Sequence, residues 1–393
     1  MSTVEKLNYS TENMDEAMSK ELKVRWDKLE TLMKERNLDA TLIVGNSTVG
    51  PSVFGSFRYF TGHKVYFKYQ AIVARPGKPV MVCATSVLHQ KSLKAKGFTD
   101  IRLSPDILGI VLTTLNEQPI KRLGVSLQMM PSNWYNELKK MNIEFVDIED
   151  DISLMRKERS EFEIQAAKTC ARIANIGYKA VCASAKPGVR LSDLYAELDY
   201  SMKKAGAEET FTLMSCGRFS LEDNQLHCIS PYIPPDNRIV NSGDSVAMEI
   251  TPRYLGYWSQ MVRTICVGEQ NNDLGAAHGA VVKAIKAIVP DLRPGVKMDD
   301  IMVKLGEASE KLGYNSRVPY GHVLSLDLDE GWHYAAESDI ILKSGMAVAI
   351  HPTLTTPKIE YGIFWGDSYL VTENGGECIT SDDSELLTIM GRD

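Results

Sequence analysis

Residues 243–268 read GDSVAMEITPRYLGYWSQMVRTICVG. Apolar and β-branched residues fill two runs around a Gly256-Tyr257 turn, so the stretch predicts a hairpin of two strands. Among its polar side chains are a carboxylate and an amide. Glu249 stands in the first run and Gln260 at the head of the second, eleven residues apart. On paired strands two such groups can face one pocket, because side chains on one face recur every second residue. A structural reading stands beside this one: a buried glutamate paired with Arg253 or Arg263.

Further strand-like runs carry histidines. GMAVAIHPTL (345–354) places His351 in an otherwise apolar strand, and YGIFWGDSYLV (361–371) follows it. A lone histidine there is more often a satisfied core residue than a ligand or catalyst. PYGHVLSLDLDEGWH (319–333) puts His322 after a glycine turn, with Asp329, Glu330 and His333 downstream. LHCISPYIPPDNR (226–238) puts His227 in a proline-rich loop beside Cys228. Asp329 and Glu330 read equally as solvated loop charges. No neighbour is arranged to make Cys228 a thiolate nucleophile.

Outward from these runs the chain changes texture once. KELKVRWDKLETLMKERNL (20–38) has helical spacing, and ATLIVG, QAIVARPGKPVMVCA, FTDIRLS and RLGVSL alternate with helical segments as in an α/β domain. From Ile152 to Pro187-Gly188 the pattern reads as one long amphipathic helix. KPGVRLSDL (186–194) recurs as RPGVKMDDI (293–301), each joining two helices. That recurrence predicts an internal duplication, with two helix pairs over a shared sheet.

At 393 residues the chain has room for two or three domains. Its net charge is −7 and its basic residues are scattered, which argues against a nucleic-acid surface. The N-terminus lacks an apolar signal core, and no run approaches the roughly 18 apolar residues of a membrane helix. Seven cysteines without zinc spacing suit reduced thiols in a cytoplasmic protein.

Several motifs together carry a resemblance. RKERSEFEIQAAKTCARIANIGYKA with PGVRLSDL, the 243–268 hairpin, PYGHVLSLDLDEG, KSGMAVAIHPTL and YGIFWGDSYLVTENGGECIT follow one another as in the creatinase, prolidase and aminopeptidase P family. The resemblance implies an α+β chain. Residues 20–152 would form a creatinase/prolidase-type N-terminal α/β domain, ribonuclease H-like, and 155–390 a pita-bread catalytic domain. Metallopeptidases of this family hold two metal ions with Asp, Asp, His, Glu and Glu. Here those positions read Glu249, Gln260, His322, His351 and Gly366. Two cations about 3.5–4 Å apart need bridging carboxylates, and both bridging positions are changed.

The expectation is therefore a creatinase-like, metal-independent hydrolase of a small-molecule C–N bond (amide, cyclic amidine or ureido acid) with no cofactor. His227 or His322 would transfer the proton, with Glu249 and His351 in the catalytic set. Gln260, Asp329, Glu330 and His333 would bind substrate. The resemblance also implies a homodimer in which Phe67 and Lys68, from TGHKVYFKYQAIV (61–73), complete the partner's pocket. One alternative is a single iron or zinc ion on Glu249, His322 and His351, in a hydrolase or lyase that resembles Xaa-Pro peptidases. Another is a binding module without catalysis.

Overall fold

The computed structural model describes residues 11–47, 55–218, 235–269, 271–317, 321–330, 340–356, 359–380 and 387–389. His227, Cys228 and His333 lie outside the described residues. The chain divides into two units, Met1–Arg156 and Lys157–Asp393.

In the first unit, α1 (Thr11–Glu35) leads into β1 (Ala40–Asn46), α2 (Ser56–Thr61), β2 (Tyr69–Ala74) and β3 (Met81–Ala84). Then come α3 (Leu88–Ala95), β4 (Asp100–Leu103), α4 (Ile107–Asn116), β5 (Arg122–Val125), α5 (Ser132–Lys139), β6 (Glu144–Asp147) and α6 (Glu149–Lys157). The six strands order β4-β3-β2-β1-β5-β6. Strands β1, β2 and β3 form an antiparallel meander, turned between β2 and β3 at Gly77 with φ 67°. Strands β4, β5 and β6 add in parallel, and α3 and α5 are crossover helices for β4 and β6. Ile107, Val111 and Leu115 of α4 pack with Leu42, Val44 and Val73 into the core.

The long helix expected from 152 to 187 is two helices. α6 ends at Lys157, and α7 (Glu161–Ser184) begins at a fresh N-terminus. Ser160 Oγ accepts from the Glu163 N–H at 3.3 Å, and Glu163 Oε2 accepts from the Ser160 N–H at 2.8 Å. This reciprocal cap satisfies donors that a continuous helix would not expose. Hydrophobic spacing alone does not register such a break.

The second unit continues with α8 (Leu191–Lys204), β7 (Glu209–Arg218), β8 (Asp244–Tyr254), β9 (Tyr257–Trp258) and β10 (Met261–Val267). Next are α9 (Asn272–Ile288), α10 (Met298–Lys311), β11 (Asn315–Arg317), β12 (Gly321–Leu324), β13 (Ala347–Ile350), β14 (Thr353–Thr356), β15 (Ile359–Phe364), β16 (Asp367–Thr372) and β17 (Gly375–Cys378). α7 and α8 cover β7, β8 and β10 through Ile173, Leu194, Met248 and Ile265. α9 and α10 cover β12, β13 and β16 through Val281, Ile301, Val348 and Val371.

The duplicated sequence appears as duplicated main-chain bonding. Gly188 N–H donates to Val240 and Leu191 N–H to Arg238; Gly295 N–H donates to Leu342 and Met298 N–H to Ile340. The turns after these segments also match. Gly243 (φ 87°) donates to Val267, and Gly345 (φ 81°) to Val371. Counting from either glycine, Glu249 and His351 hold the same place. Met248 pairs with Arg263 and Ile350 with Asp367, so Arg263 and Asp367 are counterparts too. The halves meet where Val262 and Gly366, also counterparts, exchange both hydrogen bonds, at 2.9 and 3.1 Å.

Candidate active site

Strand alternation decides which side chains face the junction. Met248 and Ile250 enter the core beneath α7 and α8, so Glu249 between them points to the other face of β8. Val348 and Ile350 likewise enter the core beneath α9 and α10, while Ala347 and Ala349 join a cluster on the opposite face with Leu324 and Trp258. His351 continues that face. His322 pairs with Ala349 in the β12–β13 ladder and so lies on the same side. The result is a contact between two imidazoles, with ring centroids 5.2 Å apart, edge to face. Phe364 closes on His351 from β15 at 5.3 Å. Both histidines are buried.

Glu249 is buried, and Gln260 Nε2 donates to its Oε1 at 2.6 Å. Burial pushes the Glu249 carboxyl up to about 7, against the smaller opposing effect of the Gln260 hydrogen bond. The pairing with Arg253 or Arg263 does not form. Arg253 Nη1 meets Glu209 at 2.8 Å and Arg263 Nη2 meets Asp367 at 2.6 Å. Gln260 is held from behind by Ser368, whose hydroxyl accepts from the Gln260 N–H at 3.1 Å and donates to its carbonyl at 2.7 Å. Its Oε1 is buried and meets no donor among the described residues.

Sequence reading missed Ser368. The two residues are 108 apart, and only strand pairing joins them. It also missed that Arg263 is wholly buried, donating to the Val262 and Gly366 carbonyls at 2.8 Å each and stacking 4.5 Å from the Trp365 ring.

Asp329 and Glu330 follow β12 in the chain, and the Glu330 N–H donates back to the Val323 carbonyl beside His322. Glu330 is buried, and its carboxylate accepts from the Asp327 N–H at 3.2 Å, which stabilises its own turn. Asp329 is half-buried in that turn. Phe67 and Lys68 belong to the first unit, where Phe67 is 63% exposed and Lys68 has a left-handed φ of 46°.

The residue pattern and the fold now have counterparts among known proteins. The family model "Metallopeptidase family M24" matches residues 165–373, and "Creatinase/Prolidase N-terminal domain" matches 25–157. The chain belongs to metallopeptidase family M24. Its fold is the two-domain creatinase and prolidase architecture, with the pita-bread domain second. The uncharacterized peptidase YqhT of Bacillus subtilis is 25% identical over 93% of this chain and all of its own length. An Xaa-Pro dipeptidase of Pyrococcus horikoshii is 28% identical over 68% of this chain and 75% of its own. Among solved structures, an X-Pro aminopeptidase from Thermotoga maritima superposes with TM-score 0.80 at 20% identity, covering 92% of this chain and 99% of its own. The Pyrococcus horikoshii prolidase does so with TM-score 0.77 at 24% identity, with the same coverage.

This membership corrects the expectation of a protein without a cofactor, since the matched family is one of metallopeptidases. It also turns the comparison away from creatinase, because the relatives bear peptidase names. The residues present do not fit a pair of metal ions. Gln260 is uncharged and its amide nitrogen faces Glu249, while Gly366 has no donor side chain. The one-ion set of Glu249, His322 and His351 is not assembled either. Among the described residues no group of three His, Cys, Asp or Glu is placed to hold a metal ion.

Proposed function

We propose that the chain hydrolyses the amide bond of a small peptide-like substrate at the junction of the two β8–β10 and β13–β16 halves. The observation that carries this reading is the buried His322–His351 contact, on the face shared with Ala349, within the segment matched by the M24 family. Hydrolysis of an amide needs a group that takes a proton from water and a group that returns one to the leaving nitrogen. Imidazole does both near neutral pH. Glu249, on the corresponding strand of the other half, is a buried carboxyl poised near neutrality and oriented by Gln260. The names of the relatives favour a dipeptide with an Xaa-Pro bond over a ureido or guanidino acid.

The test is a hydrolysis panel of Xaa-Pro dipeptides, other dipeptides, creatine and ureido acids. It is run with chelated protein and with added Mn²⁺, Co²⁺ or Zn²⁺. Dipeptide cleavage is expected, with His322→Ala and His351→Ala each lowering kcat about 10²–10⁴-fold while circular dichroism stays unchanged. Cleavage of ureido substrates alone, or variants with full turnover, would sink this reading.

Assembly as a homodimer belongs to the same reading, with Phe67 and Lys68 acting across it; the exposure of Tyr66 and Phe67 supports it. Light scattering that finds an active monomer would remove it. Cytoplasmic location is also part of the reading. It is supported by free thiols at all the described cysteines.

A further inference from the structure

We infer that this chain cannot seat a pair of metal ions at the family's metal position, and that the block lies in the main chain around Gly366 as well as in the lost side chains. The inference concerns ion stoichiometry and does not depend on the substrate proposed above. A Cβ at position 366 would lie 2.1 Å from the Ile350 carbonyl oxygen and 2.5 Å from His351 Cα. Both are main-chain atoms. No exchange of the side chain at 351 removes them, so restoring a carboxylate there leaves 366 closed.

The strand cannot move aside cheaply. Gly366 N–H donates to Val262 at 3.1 Å, and its carbonyl accepts from Val262 N–H at 2.9 Å and from Arg263 Nη1 at 2.8 Å. Arg263 is fixed in turn by Asp367 at 2.6 Å, and Thr380 Oγ1 donates to the same Asp367 oxygen at 2.7 Å. Ile350 and Asp367 are partners in the β13–β16 ladder, so the clashing atoms and their anchor belong to one hydrogen-bonded unit. The second altered position is held as firmly, since Ser368 brackets Gln260 on both sides of its main chain. Two divalent ions about 3.5–4 Å apart repel unless carboxylates bridge them. Here one bridging position holds a neutral amide committed to Glu249, and the other admits no side chain.

The experiment strips the full-length protein with chelator, reloads it with Mn²⁺, Co²⁺ or Zn²⁺, and counts ions per chain by native mass spectrometry and elemental analysis. No more than one ion per chain is expected; two overturn the inference. The double variant Gln260→Asp/His351→Glu returns two carboxylates and leaves Gly366 in place. It is expected to stay at one ion or none, and two bound ions would show that the main chain is no barrier. Gly366→Ala probes the steric claim by itself. A melting temperature lower by more than about 5 °C, or failure to fold, supports it. A melting temperature equal to that of the parent shows that the position accepts a side chain and overturns it.

Discussion

At position 263 an arginine is buried without any exposure, and its charge is met by one carboxylate and two carbonyls. Removing a single partner of such a pair leaves an uncompensated buried charge, which typically costs about 3–5 kcal/mol. Arg263→Met should therefore lose stability of that order in urea denaturation. The double variant Arg263→Met/Asp367→Leu should recover a good part of it, since an apolar pair removes the stranded charge. Equal losses in both variants would mean that the carbonyl bonds, not the Asp367 pair, carry the effect. From sequence, Arg263 and Asp367 were unremarkable strand residues, and Arg263 was set against Glu249. Both arginines weighed against Glu249, Arg263 and Arg253, are taken by Asp367 and Glu209, whose positions depend on strand register.

At the scale of elements, α7 owes its independent start to Ser160. Ser160→Ala removes the acceptor for the Glu163 N–H and should cost about 1 kcal/mol, read as a lower urea midpoint with unchanged slope. The repeated turns give a paired test. Gly243 and Gly345 both hold left-handed backbone, where an L-residue costs about 1–2 kcal/mol. Gly243→Ala and Gly345→Ala should destabilise by similar amounts. A cost at one position alone would show that the two halves have diverged in this turn. The repeat itself was legible from KPGVRLSDL and RPGVKMDDI, since a shared Pro-Gly-Val run at the joint of two helices needs no tertiary information. The break at 158–160 escapes apolar spacing, which runs through it, although Ser160 and Glu163 stand at the local spacing of a capping box.

For the molecule as a whole, acid stability follows from two buried imidazoles in separate units. Burial lowers His63 to about 3 and His278 to about 4 from an ordinary 6.5, in each case aided by neighbouring positive groups. Folding holds both neutral, so the unfolded chain binds more protons between about pH 6.5 and 4. Stability is full above that range and is lost as pH falls through it. The buried Glu249 carboxyl, raised to about 7, works against them in part of this window, because folding favours its protonated form. The midpoint of urea unfolding should still drop between pH 7 and 4.5, since two imidazoles outweigh one carboxyl, and His278→Phe, whose ring can keep the edge-to-face contact with Trp365, should flatten that drop. An unchanged slope in His278→Phe would assign the acid sensitivity to other groups.

Sequence alone determined the duplicated helix pairs and the family. These rest on local spacing and on motifs whose residues lie close along the chain. It also showed which side chains stand at the altered ligand positions. It did not determine what those side chains do to one another. That Gln260 turns its amide to Glu249, that His351 meets His322 and Phe364, and that Gly366 has no room for a side chain are consequences of strand register. Register brings residues about 100 positions apart into contact at the Val262–Gly366 bridge. It is set by which face of each strand meets the covering helices, a property of the packed sheets that no local stretch contains.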